Sequence, residues 1–326
     1  MKIKLIRILI IIFILIFIFY SILWSFTAKN FKNFALNSLN VSRVIKDTNE
    51  SKFSIKGYPF QFKLVLPKYN FNINPKTNLT LNHTYISSNI FNLKKLSIKS
   101  KSFSIYTYLN NFSTELRSIN FETYIFLNQK NKIYKIIQKL LNPLLLFKID
   151  GIDKAISVDS ITNILHIRDN NLNLVFNAKN IGISDISKKT TNNSFYLDMN
   201  INEVYSFKFS DVQKNIEMKN KKIQFNNIIF NNKNISIESK GFLSIDDKMN
   251  LNGKLNLVSG QPMQIINYLY KKNILNFIQL NALKLIISNY EDTDRKINIP
   301  ISFKSNLLYV GPIFITTLPS INKFLF

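Results

Sequence analysis

The chain of 326 residues contains no cysteine and little histidine, glycine or arginine. Without cysteine, disulfide scaffolds, zinc–cysteine centres, iron–sulfur clusters and thiol nucleophiles are excluded. Two histidines, His83 and His166, are too few for a multi-histidine metal centre. The phosphate-loop, dinucleotide-binding, nucleophile-elbow and zinc-protease motifs are also absent from the sequence. We therefore expect a protein that is not an enzyme and that holds neither a cofactor nor a metal.

The chain has an excess of positive charge, with 43 basic residues against 19 acidic ones and a net charge of +24. Of the basic residues 38 are Lys and only 5 are Arg, and the chain also contains 46 Asn. Lys and Asn have AT-rich codons, so a biased genome accounts for this composition. A surface that reads nucleic acid would favour Arg, which binds phosphate and guanine bidentately. We interpret the charge as a solvated basic surface and expect no nucleic-acid partner.

A long apolar run near the N-terminus, Ile8 to Trp24, predicts a transmembrane anchor. As a helix it would measure roughly 26 Å, which is at the short end of a bilayer span. The basic residues before it predict a cytoplasmic tail at 1–7, with the remainder of the chain exported across the membrane. A cleaved signal peptide is the alternative, but Ser25 to Ala28 matches a cleavage site poorly.

The residues after the anchor divide into a short connecting region and a long β-rich region. We expect a juxtamembrane helix and linker at 25–50, then a domain at 51–326 that could comprise two similar halves, 51–150 and 151–326. The segment Phe60 to Leu66 alternates apolar and polar residues, as a half-buried strand does. The other segments with strand patterns are Leu96–Lys99, Ile119–Phe126, Leu172–Phe176, Phe195–Ile201, Ile235–Ile237 and Leu251–Leu257.

Two segments show helical spacing instead, Lys132 to Leu141 and Pro262 to Leu280. The spacers between the strands are mostly too short for helical crossovers, so the sheet should be antiparallel. The predicted fold class is mainly β: an N-terminal transmembrane helix followed by a curved antiparallel sheet with two covering helices.

Three glycine- or proline-containing motifs are interpreted as structural. Gly57-Tyr58-Pro59 directs the chain into the strand that begins at Phe60. The segment Gly241 to Leu257, which includes Gly253, predicts a hairpin with its turn at Asp247-Lys248. Gly311-Pro312-Ile313 predicts a rigid turn in a closing strand pair.

The remaining polar candidates also have structural interpretations. His83 lies in a polar segment and is expected to be exposed, whereas His166 lies within a predicted strand. Asp150, Asp153 and Asp159 lack the spacing of a calcium-binding EF-hand and its closing Glu, so we interpret them as turn residues.

A family resemblance rests on four features of the sequence. They are the anchor, the Gly57-Tyr58-Pro59-Phe60 motif, the Gly241-Phe242-Leu243-Ser244-Ile245-Asp246 hairpin and the Gly311-Pro312-Ile313 ending. The chain resembles a proteobacterial envelope family catalogued as domain of unknown function 2125, and more widely the AsmA-like proteins. That resemblance implies a single-anchor periplasmic β-protein linked to envelope and lipid homeostasis. The chain departs from the family pattern at Lys304-Ser305-Asn306, where an acidic residue followed by glycine is typical of the turn.

The expected function is to bind lipid along an apolar sheet face while anchored in the inner membrane through residues 8–24. The candidate lipid contacts are the apolar residues of the opening strand, although each could also be an ordinary core residue: Phe60, Phe62, Leu64 and Leu66. Besides phospholipid, other envelope proteins are possible partners. The alternative function is an envelope scaffold or assembly factor that binds protein without lipid.

Overall fold

The structure is a computed structural model, and it describes most of the chain outside the two termini and several connecting segments. The described residues are 14, 16–33, 54–66, 68–74, 76–109, 112–149, 152–168, 171–184, 193–202, 222–233, 235–271, 273–290 and 297–318.

The described residues form a mainly β structure with nineteen strands in one sheet. The first nine strands are β1 Ser54–Lys56, β2 Gln61–Leu66, β3 Tyr69–Asn74, β4 Thr77–Asn89, β5 Asn92–Leu109, β6 Phe112–Ser118, β7 Asn120–Leu127, β8 Ile133–Leu141 and β9 Leu144–Ile149. The remaining strands are β10 Ile152–Ser157, β11 Ser160–Arg168, β12 Asn171–Ser184, β13 Asn193–Ile201, β14 Lys222–Asn231, β15 Ser236–Ile245, β16 Leu251–Ser259, β17 Ile297–Lys304, β18 Leu307–Val310 and β19 Ile313–Thr317.

Within the described residues, three helices accompany the sheet: α1 at 16–33, α2 at Pro262–Lys271 and α3 at Phe277–Tyr290. Across the described ranges, no helix combines the length and the apolar character that a bilayer crossing requires. Residues 8–13 and 15 of the predicted anchor lie outside the described residues, as do 34–50 of the predicted juxtamembrane helix and linker.

Every strand pairing in the sheet is antiparallel, as the short spacers predicted. From β12 to β19 each strand pairs with the next one in sequence. In the first part, the long strand β5 pairs with β4 on one side and with both β6 and β7 on the other. The ladder continues from β7 through β8 to β11, and from β6 through β9 to β10. One hydrogen-bonded sheet therefore contains strands from both sides of residue 150, and the two-halves division remains a prediction.

The strands predicted from alternating patterns are confirmed. Phe60–Leu66 corresponds to β2, although Phe60 itself lies in the preceding turn. The other predicted segments lie wholly or mostly in β5, β7, β12, β13, β15 and β16. These patterns are informative because successive side chains of a strand lie on opposite faces of the sheet.

The helix predicted at Lys132–Leu141 is wrong, because residues Ile133–Leu141 form strand β8. β8 is hydrogen-bonded on both sides, to β7 and to β11. Ile136 and Leu140 lie on one face of the strand and Ile137 on the other, so the isoleucine spacing that fits a helix also fits a strand. β-branched residues favour the pleated alternative when neighbouring strands are available on both sides.

The single helix predicted at Pro262–Leu280 is in fact two helices, α2 and α3. Asn273 between them adopts a positive φ of 58°, which ends the first helix. The second helix begins with a reciprocal capping box. The backbone N–H of Gln279 donates to Asn276 Oδ1 at 2.8 Å, and the backbone N–H of Asn276 donates to Gln279 Oε1 at 2.9 Å.

Asparagine takes positions where a more glycine-rich chain would use glycine. The described non-glycine residues with positive φ are His83, Asn131, Asn142, Asn180, Met249, Asn273, Ser305 and Asn306. The short polar side chain of Asn tolerates this conformation better than most others. Five of the 46 asparagines thus have a structural use at positions of positive φ.

The predicted hairpin at Gly241–Leu257 is confirmed as β15 and β16, and Asp246 stabilises its turn. Asp246 Oδ1 accepts from the backbone N–H groups of Lys248 at 2.9 Å and Asn250 at 2.8 Å. The Asn250 backbone hydrogen bond is the largest of several that hold the pKa of Asp246 below its ordinary value. Asn306 then joins this turn to the β17–β18 turn, because its Oδ1 accepts from the Leu251 backbone N–H at 2.6 Å.

The closing strands are also as predicted, with Gly311-Pro312 forming the turn between β18 and β19. Val310 pairs with Ile313 across this turn, and Gly311 has a φ of 58°. A positive φ at the first central residue suits a two-residue hairpin loop. The Gly311 N–H also donates to the Pro300 carbonyl at 2.7 Å, which ties the turn to β17.

Gly241→Ala should destabilise the sheet, and Gly260→Ala provides the matched control. Gly241 has a φ of 153°, and a Cβ there would collide with the backbone carbonyl of Lys254. Strain of this kind costs about 1–3 kcal/mol. A Cβ at Gly260 would meet nothing within 4 Å, so its effect should be within about 1 kcal/mol. Urea denaturation of both variants measures the difference, and equal midpoints would contradict the register of β15 and β16.

Candidate functional site

One face of the sheet is apolar along most of its length, and it is called the apolar face below. Directly opposed residues in an antiparallel ladder share a face, so the register defines this surface from strand to strand. Starting from Phe62 on β2, one row across the sheet contains Ser88, Leu96, Ile125, Ile136, Leu165, Leu174, Met199, Phe225, Gly241, Leu255, Ile301, Val310 and Ile313. Two neighbouring rows on the same face start from Leu64 and Leu66.

The first end of the apolar face is covered by α1. The Trp24 ring stacks on Phe62 with the centroids 5.6 Å apart, and Phe31 lies 5.9 Å from the same ring. Phe31 also packs against the buried cluster that contains Leu64 and Leu66. Phe62 is consequently 0% exposed.

The Gly57-Tyr58-Pro59 motif, predicted to be structural, also holds α1 in place. Tyr20 Oη donates to the Pro59 carbonyl at 2.6 Å, and the hydroxyls of Ser21 and Tyr58 are hydrogen-bonded at 2.6 Å. The Tyr58 ring also makes an edge contact with Trp24 at 5.2 Å. The Tyr58–Pro59 peptide bond is cis, and the Gln61 N–H donates to the Gly57 carbonyl at 2.8 Å.

The second end of the apolar face is covered by α2 and α3. The buried residues of this cluster come from both helices, their connection and the closing strands: Ile266, Leu275, Leu280, Leu283, Ile287, Ile297, Ile299 and Ile315. Gln279 Nε2 donates to the backbone carbonyls of Phe314 and Ile315 at 3.0 Å each. The hairpin of helices is thus fixed to β19 by polar as well as apolar contacts.

Between these ends lies a group of half-buried apolar residues, called the central stretch. The helix contacts just described fall on β2, β17 and β19, and the buried cluster around Leu172 and Ile201 includes no described helix residue. Side chains of the central stretch are therefore partly accessible from the apolar face. Its members are Leu174, Phe176, Leu197, Met199, Phe225 and Ile228.

The opposite face of the sheet carries most of the charged side chains, although Ile137, Ile164 and Val175 form an apolar row on it. Lys99 Nζ lies 2.8 Å from Glu122 Oε1, and Tyr124 Oη donates to Glu122 Oε2 at 2.7 Å. The Lys99 hydrogen bond lowers the pKa of Glu122, and the same bond raises the pKa of Lys99. Several lysines lie over aromatic rings, such as Lys63 at 3.8 Å from the Tyr85 centroid. This face carries part of the excess positive charge.

The two histidines lie on different strands of the sheet, His83 in β4 and His166 in β11. His83 is exposed, as predicted, and occupies an irregular position in β4 with a φ of 48°. His166 is half-buried in β11, where burial, and then the positive charges of Arg168 and Lys135, lower its pKa. Within the described ranges, no group of three potential metal ligands occurs. Asp150, Gly151 and the side chain of Asp153 lie outside the described residues, whereas Asp159 Oδ2 accepts from Asn180 Nδ2 at 2.7 Å.

The four candidate lipid contacts fall in two different environments. Phe62, Leu64 and Leu66 lie in the core beneath α1, whereas Phe60 is 58% exposed in the turn before β2. Their contact with lipid remains a prediction. The central stretch lies instead on β12 to β14. The sequence predicts these strands but does not show which of them a helix covers.

No family model matches this chain, and no curated protein matches it. The resemblance to the AsmA-like group therefore remains an expectation from the sequence motifs.

Phe62→Ala should destabilise the protein, with Phe60→Ala as the matched control two residues away. Removing a fully buried Phe typically costs about 3–5 kcal/mol, whereas an exposed one costs much less. Trp24 is the only tryptophan and stacks on Phe62, so its fluorescence reports this contact directly. We expect a red-shifted emission and a lower urea midpoint for Phe62→Ala alone. Similar behaviour of both variants would contradict the packing of α1 on β2.

Proposed function

We propose that this chain is a non-enzymatic, membrane-anchored envelope protein that binds acyl lipid along the central stretch. The observation that carries the proposal is the uneven cover of the apolar face. Helices pack on its two ends, and partly accessible Leu, Met, Ile and Phe side chains lie between them. An apolar sheet face needs a cover, which here would be the lipid.

The energetics support an acyl chain as the ligand. Removing apolar surface from water is worth about 25 cal/mol per Å². Sheltering a few hundred Å² of lipid tail would therefore give roughly 5–10 kcal/mol before the cost of association. The residues of the central stretch are apolar and uncharged, which suits a hydrocarbon chain. The basic surface would add a salt-sensitive attraction for anionic headgroups.

The proposed anchor is Ile8–Trp24, with residues 1–7 in the cytoplasm and the sheet in the periplasm. Its support comes from α1, which carries many exposed apolar side chains: Ile14, Ile16, Phe17, Ile18, Phe19, Ile22, Leu23 and Phe26. A surface of this kind is unfavourable in water and suits a lipid environment. Because α1 also packs on β2, the anchor would hold the first end of the apolar face near the membrane.

A scaffold that binds another protein is the second candidate, and the α2–α3 hairpin favours it. Three large side chains project from α3 into solvent: Phe277 at 65%, Ile278 at 79% and Leu285 at 68% exposure. Exposed apolar clusters often mark protein interfaces. On this alternative, the partner would bind the helices rather than the central stretch.

Photo-crosslinking from the two faces of β12 tests the lipid proposal. A benzophenone amino acid replaces Phe176 on the apolar face or, as the matched control, Val175 on the opposite face of the full chain in bacterial membranes. We expect phospholipid adducts at least several-fold more abundant at position 176, detected as a mass increase after irradiation and purification. Adducts of another protein at 176, or equal lipid adducts at both positions, would contradict lipid binding by the central stretch.

A further inference from the structure

Three polar side chains interrupt the apolar face next to the central stretch. Thr123 on β7 is directly opposite Gln138 on β8, and Gln138 is directly opposite Asn163 on β11. These three residues are called the polar row. Along the same line of the ladder, Ile98 precedes the row and Phe176 of the central stretch follows it.

The polar row is surrounded by apolar side chains. The ladder positions on one side are Ile125, Ile136 and Leu165, and those on the other side are Phe121, Leu140 and Ile161. No flanking position carries a charge. A group that binds here would therefore be neutral and attached to an apolar chain.

The polar row has hydrogen-bonding capacity that the described residues leave unused. Thr123 is only 5% exposed, and both Thr123 Oγ1 and Asn163 Oδ1 are buried without a hydrogen-bond partner. Gln138 is half-buried, and its amide makes no hydrogen bond to another described residue. Buried polar groups are normally paired, so two buried unpaired oxygens on either side of a half-buried amide indicate a missing partner.

We propose that the polar row binds the ester linkage of an acyl lipid whose chain lies along the central stretch. The Thr123 hydroxyl and the Gln138 amide N–H can donate to ester carbonyl oxygens, and a half-turn of the Asn163 amide places its N–H where the unpaired Oδ1 lies, so that it donates as well. A phosphate or carboxylate fits less well, because an anion here would lack a cationic partner. This inference rests on the proposed function, and it adds that the lipid is recognised by its linkage and held in one orientation.

A matched pair of lipids tests the inference without any substitution. Nanodiscs containing the full chain receive equal amounts of diester and diether phosphatidylglycerol with chains of the same length, so that only the carbonyl groups differ. Native mass spectrometry then measures the ratio of the two bound lipids. We expect the diester to be favoured about threefold to tenfold, the range that one or two neutral hydrogen bonds supply.

The variant Gln138→Leu/Asn163→Leu should lose this preference. Asn177→Leu, on the opposite face of β12, is the control and should keep the preference. Equal binding of diester and diether by the unaltered chain overturns the inference but leaves lipid binding intact. Preference retained by the double variant overturns it as well. No bound lipid of either kind overturns the proposed function itself, so the two failures are distinguishable.

Discussion

The structure depends on one constraint: a continuous antiparallel ladder repeats the same apolar face from β2 to β19. Because side chains alternate along each strand and share a face across each pair, the apolar face extends as far as the ladder does. Among the described residues, the helices that cover it are α1 on the first strands and the α2–α3 hairpin on the last. The central stretch follows from this mismatch between a long apolar face and short helical covers.

The turns and the polar face of the ladder accommodate a sequence with few glycines and many lysines. Asparagines occupy turn positions that need positive φ, and Asn306 links two turns through its side chain. Glycine remains where a Cβ would strike a neighbouring backbone, as at Gly241 and Gly253. On the polar face, lysines lie over aromatic rings, as Lys222 does over Phe242 at 4.5 Å, so they need few acidic partners.

The sequence predicted secondary structure correctly where the strand periodicity of two residues excluded the helical periodicity of about 3.6 residues. Strands such as β2 and β13 alternate cleanly, and their positions were predicted from that pattern. β8 was predicted as a helix because its isoleucines fit both the helical and the strand periodicity. Its hydrogen bonds to β7 and β11 make it a strand, and this pairing cannot be read from the sequence of β8 alone. The α2–α3 boundary was missed, although Asn273 and the Asn276–Gln279 capping pair were visible signals.

The site was harder to predict than the fold, since it depends on which strands the helices cover. Phe62 and Phe176 look alike in sequence, yet only Phe62 lies beneath Trp24. The polar row could not be found at all from spacing, because Thr123, Gln138 and Asn163 meet only through the register of three strands. Contacts of this kind are fixed by tertiary pairing and leave no local pattern.

The central claim is that acyl chains occupy the central stretch. Native mass spectrometry of the full chain, released gently from bilayer nanodiscs, tests it most directly. The account predicts a protein carrying phospholipid whose occupancy falls when Leu197→Lys places a charge in the central stretch. A mass that corresponds to protein without lipid, together with no uptake of labelled phospholipid from vesicles, would contradict it.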